Sequence, residues 1–472
     1  MYKFGDNQLS LTDFGQAAGL KLNPENRWIK RAQDIPWDDI EERYAKLFTN
    51  KKGNVAKPLR LALGACIIHA DYGYSDEETA LQIQEGPYLQ YFCGYREYDD
   101  SKPPFDPSLM VYFRKRLTAE ILGEINEMII KKNDKPNEEQ EQSEEKSDDD
   151  DTGNSGTMII DATCAPSNIK YPQDVSLLND AREAAEKIID DLHTPGKEQK
   201  PRTYRKQAHK DYLKFARSRK RTGSFVRKAI RKQLGYLSRD LAHIDGMLVT
   251  GKTLSEKQSY RLDTIRKILE QQKFMYDHRT HSVPDRIVSL SRPFIRPIVR
   301  GKAGKPVEFG AKLDISVSDG WTRLEVLSFD AYNEASNLKD MVERYEARTG
   351  HYPSRILADK IYRNRDNLAY CKLHQIRLSG PALGRPKKGE IRDKKRDYQD
   401  ECERVEVERR FSLAKRKCGM GLIVTKLEET ISHSIAMSIV VLNLRKIQHT
   451  LLQTLWSWLS EMGVQQKIAF VQ

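Results

Sequence analysis

Three carboxylates stand out by their context. Asp161 follows the apolar run Met158-Ile159-Ile160, and Asp359 follows Ile356-Leu357-Ala358. In open α/β sheets ligands collect outside the carboxyl ends of the strands, where both acids would stand. If the two strands are parallel neighbours, the carboxylates lie side by side, and like charges that close need compensation. A divalent cation supplies it. Few ligands, all of them oxygen, suit Mg2+ or Mn2+, which keep waters and recruit phosphates. Taken alone, either Asp reads equally as the end of a strand or the cap of a turn. The third carboxylate is Glu408. In a helix, Arg404, Glu408, Phe411 and Lys415 fall at i, i+4, i+7 and i+11, on one face. One acid between two cations makes a poor core stripe and a good border for an anionic site. Glu408 would complete the cation site, and Arg404 and Lys415 would contact phosphates. The competing reading is a pair of surface ion pairs, worth only tenths of a kcal/mol.

The elements that must hold these groups are readable in outline. Thr157–Asp161 and Arg355–Asp359 read as short buried strands. Val307–Val317 and Thr322–Phe329 read as a hairpin turned by Ser318-Asp319-Gly320-Trp321, an Asp-Gly between alternating runs. An amphipathic helix is predicted over 335–348, stopped by Gly350. Further on come a helix near 364–373, a strand at 376–379, a basic loop at 385–400, a helix over 401–417 and two more from 428 to 462. Upstream, 1–50 reads as an irregular arm with a helix at 37–48, and 57–71 reads as a helix. Ser75 before Asp76, Glu77 and Glu78 marks a helix start. Asp106-Pro107 marks another, leading one helix to about 130. Residues 176–192 and 204–276 read as helices, with Gly235, Gly246 and Gly251 as possible breaks. The domain plan is an all-helical part at 1–132, an acidic linker at 133–156, and an α/β part at 157–462 with a helical insert at about 180–300.

Charge separates these parts. The chain has 472 residues and a net charge of +12, yet 133–156 holds ten acids against two lysines, a net −8 that leaves +20 elsewhere. That segment has no apolar residue to bury and reads as a disordered linker. Residues 197–232 hold fifteen Lys and Arg against Glu198 and Asp211, with Tyr204, Tyr212, Phe215 and Phe225 interleaved. A +13 excess is too one-sided for self-paired helix charges and points to a polyanion, with Lys206, Lys210, Arg219, Lys220 and Arg221 as candidate DNA contacts. Arg114 and Arg116, beside Lys115, are further candidates if their helix lies against DNA as in a helix-turn-helix. No run reaches the ~18 apolar residues of a membrane span. The best stretch, 435–444, is interrupted by Ser438 and Asn443. No signal-peptide core opens the chain. Six scattered cysteines without a C-x-x-C pair speak against a zinc finger or a disulfide scaffold. A reducing, cytoplasmic location is the expectation.

These motifs together resemble the bacterial insertion-sequence transposases of the DDE superfamily, in the IS-five group and its IS-eleven-eighty-two-like branch. The resemblance is carried by MIIDATCAPSNIKYPQDVSLLNDARE at 158–183, VEFGAKLDISVSDGW at 307–321, ILADKIYRNRDN at 356–367, RLSGPALGRPKK at 377–388 and ERVEVERRFSLAKRKCGMG at 403–421. The family's third-acid signature is Arg, three residues, Glu, six residues, Lys. Arg404, Glu408 and Lys415 meet it. The Tyr often found three residues before that Arg is Glu401 here. The resemblance implies an RNase H-like core, a mixed five-stranded sheet with flanking helices. Asp161 ends its first strand, the hairpin supplies the next two, and Asp359 ends the fourth. It further implies two Mg2+ ions, with Mn2+ as substitute, held by Asp161, Asp359 and Glu408. The partners implied are double-stranded DNA, as terminal inverted repeats and target, and a homodimer or larger assembly on DNA, associated with the nucleoid. The activity implied is cleavage at transposon ends and strand transfer. Two alternatives stay open: a catalytically silent DNA-binding repressor, and a structure-specific nuclease on the same fold.

Overall fold

The computed structural model describes residues 2–4, 21–49, 55–134, 153–196, 199–302, 305–380 and 393–461. Most of the acidic segment at 133–156 and part of the 377–388 motif lie outside the described residues. The chain divides into two compact units. One comprises 1–166, 312–328 and 332–472; the other comprises 167–311 and 329–331.

Among the described residues the first unit begins with seven helices: α1 (Arg27–Asp34), α2 (Trp37–Ala45), α3 (Leu59–Tyr72), α4 (Asp76–Glu85), α5 (Pro87–Phe92), α6 (Leu109–Arg116) and α7 (Ala119–Asn133). The predicted irregular arm thus contains two helices. Asn26 caps the first, its side chain accepting from the Trp28 N–H. Ser75 caps α4 as expected, accepting from Glu78 N–H at 3.1 Å. The single helix expected up to 130 is broken at Leu117-Thr118, where the Thr118 hydroxyl starts α7 by accepting from Ile121.

The second unit carries α8 (Asp174–Leu192), α9 (Arg205–Ala216), α10 (Gly223–Val249) and α11 (Glu256–His278). Leu178, Ala181, Ile189, Leu237, Ile244 and Ile265 form its buried centre. Gly235 and Gly246 lie inside α10, which runs through them; Gly251 does mark a break. The same unit holds a strand that the proline-punctuated sequence hid, β2 (Arg296–Lys302). It pairs antiparallel with the first half of β3 (Lys305–Ser318) and carries Pro297. It ends the sheet, the position where a residue without an N–H is tolerated.

In the first unit β1 (Thr157–Pro166) lies between β3 and the later strand β5 (Arg355–Leu357). The hairpin partner of β3 is β4 (Trp321–Ser328), and the turn between them puts Asp319 and Gly320 at φ 53° and 72°. Two successive positive φ values are what a type I′ turn requires, so the Asp-Gly reading holds. A 3₁₀ turn (Glu334–Asn337) leads into α12 (Leu338–Thr349), ended by Gly350 at φ 82°. A second 3₁₀ turn (Lys360–Tyr362), α13 (Arg365–Leu373) and the short β6 (Arg377–Leu378) follow β5. Among the described residues the sheet is mixed and, with β2 of the second unit counted, six-stranded where five strands were expected. Met158, Ile160, Ile356 and Ala358 bury one face of it against Leu338, Met341, Val342 and Tyr345 of α12.

Two long helices finish the unit. α14 (Lys394–Lys417) begins well before the expected 401, inside the stretch read as a basic loop, with Asp393 capping it. α15 (Glu428–Glu461) is one helix where two were expected. Asn443, read as an interruption of an apolar run, is fully buried and bonded at both ends of its amide. Its Nδ2 donates to Asn126 Oδ1 and to Thr322 O at 2.8 Å each, and its Oδ1 accepts from Thr322 N–H at 3.0 Å. Among the described residues no helix is long and apolar enough to cross a membrane.

Candidate active site

Strand pairing decides where the first two carboxylates go. β1 and β5 are parallel, with Thr157 opposite Arg355, Met158 opposite Ile356 and Ile159 opposite Leu357. Continued two residues past the last paired residues, that register would bring Asp161 alongside Asp359, which lies just beyond the end of β5, and the Asp359 carboxylate acts on that of Asp161. Side chains alternate across a strand. Met158, Ile160 and Ile356 point into the α12 core, so Asp161 points to the opposite face of β1.

Helix α14 covers that face. Near its start, Asp400 and Glu403 hold Arg355 at 3.5 and 2.7 Å. Near its end, Lys415 Nζ donates to Thr163 Oγ1 at 2.8 Å. From 403 to 415 the helix rises about 18 Å at 1.5 Å per residue. The stretch of β1 between these anchors, 157 to 163, spans about 20 Å at 3.3 Å per residue. Helix and strand therefore run side by side in the same direction. Glu408, on the face shared by Arg404 and Lys415, comes within about 4–6 Å, one to two strand residues, of the level of Asp161. Val407, Phe411 and Ala414 are buried beside it.

The electrostatics are those of a site with excess negative charge. Burial pushes the Asp161 carboxyl up to about 6, with the carboxylates of Glu334 and Asp359 adding to the rise. The Ala162 N–H, which donates to Asp161 Oδ1 at 2.8 Å, and the Arg404 guanidinium oppose it. Asp359 is exposed and caps the turn that follows, accepting from Lys360 N–H at 2.6 Å. Capping uses one carboxylate oxygen, so it does not compete with a second role. Glu408 is half-exposed and paired with Arg404 at 3.2 Å; Glu401 takes the other side of that guanidinium at 3.3 Å. Glu406 is committed elsewhere, to Arg409 at 3.0 Å and Arg410 at 2.7 Å.

The donor set tests well against a hard divalent cation in one respect. All the candidate donor atoms are carboxylate oxygens, and the Asp161 carboxyl, raised by burial and then by the Glu334 and Asp359 carboxylates, would be relieved by a cation beside it. As they stand, no three Asp, Glu, His or Cys side chains among the described residues are gathered closely enough to hold a metal ion. The ion pairs show why: Glu408 is turned onto Arg404, and Glu334 onto Lys312 at 2.7 Å. Glu334 escaped the sequence reading. Its only local signal is its place in the first turn of a 3₁₀ helix six residues after the end of β4.

The proposed DNA contacts divide by environment. Lys206, Lys210, Arg219 and Lys220 are exposed on α9 and the turn into α10, with no ion-pair partner among the described residues. Arg221 is different. Its guanidinium donates to Gln173 Oε1 at 3.0 Å, Ala216 O at 3.2 Å and Ser218 O at 3.3 Å, and lies 4.6 Å over the Phe215 ring. It shapes the turn and has few donors left for a phosphate. Arg114 is buried, 4% exposed, and its two terminal nitrogens grip the Asp76 carboxylate. Its charge is spent inside the helical part, which corrects the expectation of a surface contact. Arg116 is half-buried, 4.9 Å over the Phe48 ring.

Comparison with known proteins adds two matches. Residues 356–445 match a family described as Transposase DDE domain, and residues 18–116 one described as Transposase domain (DUF772). A protein of Rhizobium meliloti, "Uncharacterized protein ORF8 in nfe locus", is 33% identical over 104 residues, which is 22% of this chain and 49% of that protein. The chain thus spans about half the length of that relative. No solved structure matches.

Proposed function

We propose that this chain, by its two matched domains a DDE transposase of the insertion-sequence kind, cuts DNA at the ends of its element and joins the freed ends to target DNA. The reading belongs to the IS-five group on the motifs quoted above, with an RNase H-like arrangement of the sheet. The observation that supports it is the parallel pairing of β1 and β5, the strands that lead into Asp161 and Asp359, with Lys415 of α14 bonded to Thr163 of β1.

Asp161, Asp359 and Glu408 would hold the divalent cations, Mg2+ or Mn2+. When bound, a pair of such ions supplies Lewis acidity to the attacking and leaving oxygens of an in-line phosphoryl transfer. The remaining work falls to the chain. Asp161, its Oδ1 fixed by the Ala162 N–H, would present Oδ2 to the site. Arg404, released from Glu408, would take a non-bridging phosphate oxygen in a charge-assisted bond. Lys415, held at Thr163, would take a neighbouring phosphate. Water attacks first to free a 3′-hydroxyl, and that hydroxyl then attacks the target strand. No covalent enzyme intermediate is involved. Lys206, Lys210, Arg219 and Lys220 supply sequence-independent phosphate contacts. The assembly on DNA is a dimer or larger.

The test is cleavage of a duplex carrying one of the inverted repeats that flank the gene, with Mg2+ present. Wild type should cut at the repeat boundary and join the product to a second duplex. Glu408→Gln should bind the duplex and leave it intact. Cutting without joining would favour a nuclease, and binding without cutting by the wild type would favour a repressor.

A further inference from the structure

The turn between α8 and α9 holds a residue in a conformation that its type avoids. Tyr204 stands at φ 57° and ψ 23°, in the left-handed region, directly ahead of α9. For a bulky side chain that region is strained, whereas glycine takes it freely. Such strain persists only where the surroundings over-determine the backbone. Asp190 of α8 does that here. It holds Lys200 at 2.7 Å on one side of Tyr204 and Arg205 at 2.7 and 2.9 Å on the other. Thr203, between those two anchors, is buried.

The ring that the strained backbone presents is 42% exposed, and two guanidiniums lie over it. Arg202 is 4.5 Å from its centroid, and Arg239 of α10 is 4.7 Å from it. Both are cation–π distances. Both arginines are exposed, and neither has a hydrogen-bond or ion-pair partner among the described residues. They differ in this from Lys200 and Arg205, whose charges are spent on Asp190. One ring thus gathers two unspent cations at most about 9 Å apart, against their mutual repulsion. An anion with charges spaced along it would relieve that repulsion at both points. A strand of duplex DNA carries one phosphate per ~3.4 Å of helix axis, so neighbouring phosphates fall within that reach.

We propose that Arg202 and Arg239 form a two-point clamp on neighbouring phosphates of one DNA strand, with Tyr204 as the positioning residue that aligns them. This rests on the functional reading above and adds residues to its DNA contacts that the charge count alone did not separate. Each guanidinium offers parallel donors that match phosphate oxygens. The ring orders both side chains before DNA arrives, so less freedom is lost on binding. The clamp holds backbone and reads no sequence. A tyrosine at a backbone angle that suits glycine is then kept for its ring.

The experiment is fluorescence anisotropy of the full chain on a labelled duplex over a range of salt, with a thermal melt of each variant. Arg202→Gln combined with Arg239→Gln should reduce the slope of log K against log salt by about 1.8, at about 0.9 per phosphate. Tyr204→Phe keeps the ring and should bind as wild type. Tyr204→Gly removes the ring without adding backbone strain and should bind severalfold more weakly. Tyr204→Leu should weaken binding by a similar factor. A ring with a merely structural role would leave folded Tyr204→Gly at wild-type affinity, and that result overturns the positioning role. An unchanged slope in the double arginine variant overturns the clamp, while salt-dependent binding by the wild type keeps the broader reading. Equal weakening by Tyr204→Phe and Tyr204→Gly would assign the effect to the hydroxyl and also overturns the proposal. A wild type that binds no duplex overturns the broader reading itself. If Tyr204→Gly does not fold, the contrast between Tyr204→Phe and Tyr204→Leu decides.

Discussion

Replacing Lys206, Lys210, Arg219 and Lys220 together by Gln should flatten the salt dependence of DNA binding. All four are exposed and none has an ion-pair partner among the described residues, so each is able to meet a phosphate. On duplex DNA each neutralised phosphate contributes about −0.9 to the slope of log K against log salt concentration. Four contacts therefore contribute at most about −3.6. Between about 1 M and 0.1 M salt they carry up to ~3.6 decades of affinity, and about half that if only two of them reach the backbone. Fluorescence anisotropy of a labelled duplex over a range of salt gives the slope directly. Arg221→Ala is the internal control. Its guanidinium is tied to Gln173, Ala216, Ser218 and the Phe215 ring, so its loss should lower the melting temperature and leave the slope nearly unchanged. An unchanged slope in the fourfold variant would refute the reasoning. So would an Arg221→Ala slope change as large as that of a single exposed lysine.

Other expectations follow from the same contacts. Glu408→Gln should lower end cleavage by two orders of magnitude or more at unchanged end binding. Glu406→Gln, whose carboxylate already serves Arg409 and Arg410, should cleave within about threefold of wild type; the reverse result would mean that α14 presents a different face. Burial, with Glu186 beside it, pushes the Asp240 carboxyl up to about 7, and neither of its oxygens has a hydrogen-bond partner among the described residues. A value raised above that of the unfolded chain means that the folded state holds the proton more tightly. Stability should then fall as pH rises from about 4 to about 7, by at most ~4 kcal/mol, and stay low above that. Asp240→Asn should accordingly raise the melting temperature at pH 8 and not at pH 4; an equal rise at both would refute the assignment. Arg114→Ala should destabilise the chain by about 2–3 kcal/mol by stranding Asp76. It should leave the salt slope alone, and a slope change without a melting change would return Arg114 to the DNA.

The strand-end acids were legible because a buried strand writes itself as a short apolar run, and Asp161 and Asp359 end two such runs. Their parallel pairing was a condition on that reading, and the observed register meets it. The Asp-Gly hairpin was legible because its backbone conformation admits few residues. Arg114 misled because a basic helical triplet looks the same whether it faces solvent or an acid 38 residues earlier. The last helix was read as two between 428 and 462, and it is one, its serines costing it little. Ser434 and Ser438 each donate to the carbonyl four residues back, at 2.8 Å, which satisfies the hydroxyls within the helix. Glu334 was invisible for the opposite reason. Nothing local distinguishes it from a first-turn acid, and only Asn367, whose Nδ2 donates to Ala335 O and Tyr362 O, brings its turn against the one after Asp359. The fifteen cations of 197–232 were countable, but the division between those that bind outward and those that, like Arg221, hold the turn depends on contacts with Gln173 and Phe215.

The most direct measurement is anomalous diffraction from crystals of the full chain grown with Mn2+. The account predicts an anomalous peak within about 2.0–2.6 Å of carboxylate oxygens of both Asp161 and Asp359, with Glu408 turned away from Arg404 toward it. Mn2+ bound elsewhere, with Asp161 and Asp359 unliganded at saturating Mn2+, would contradict it.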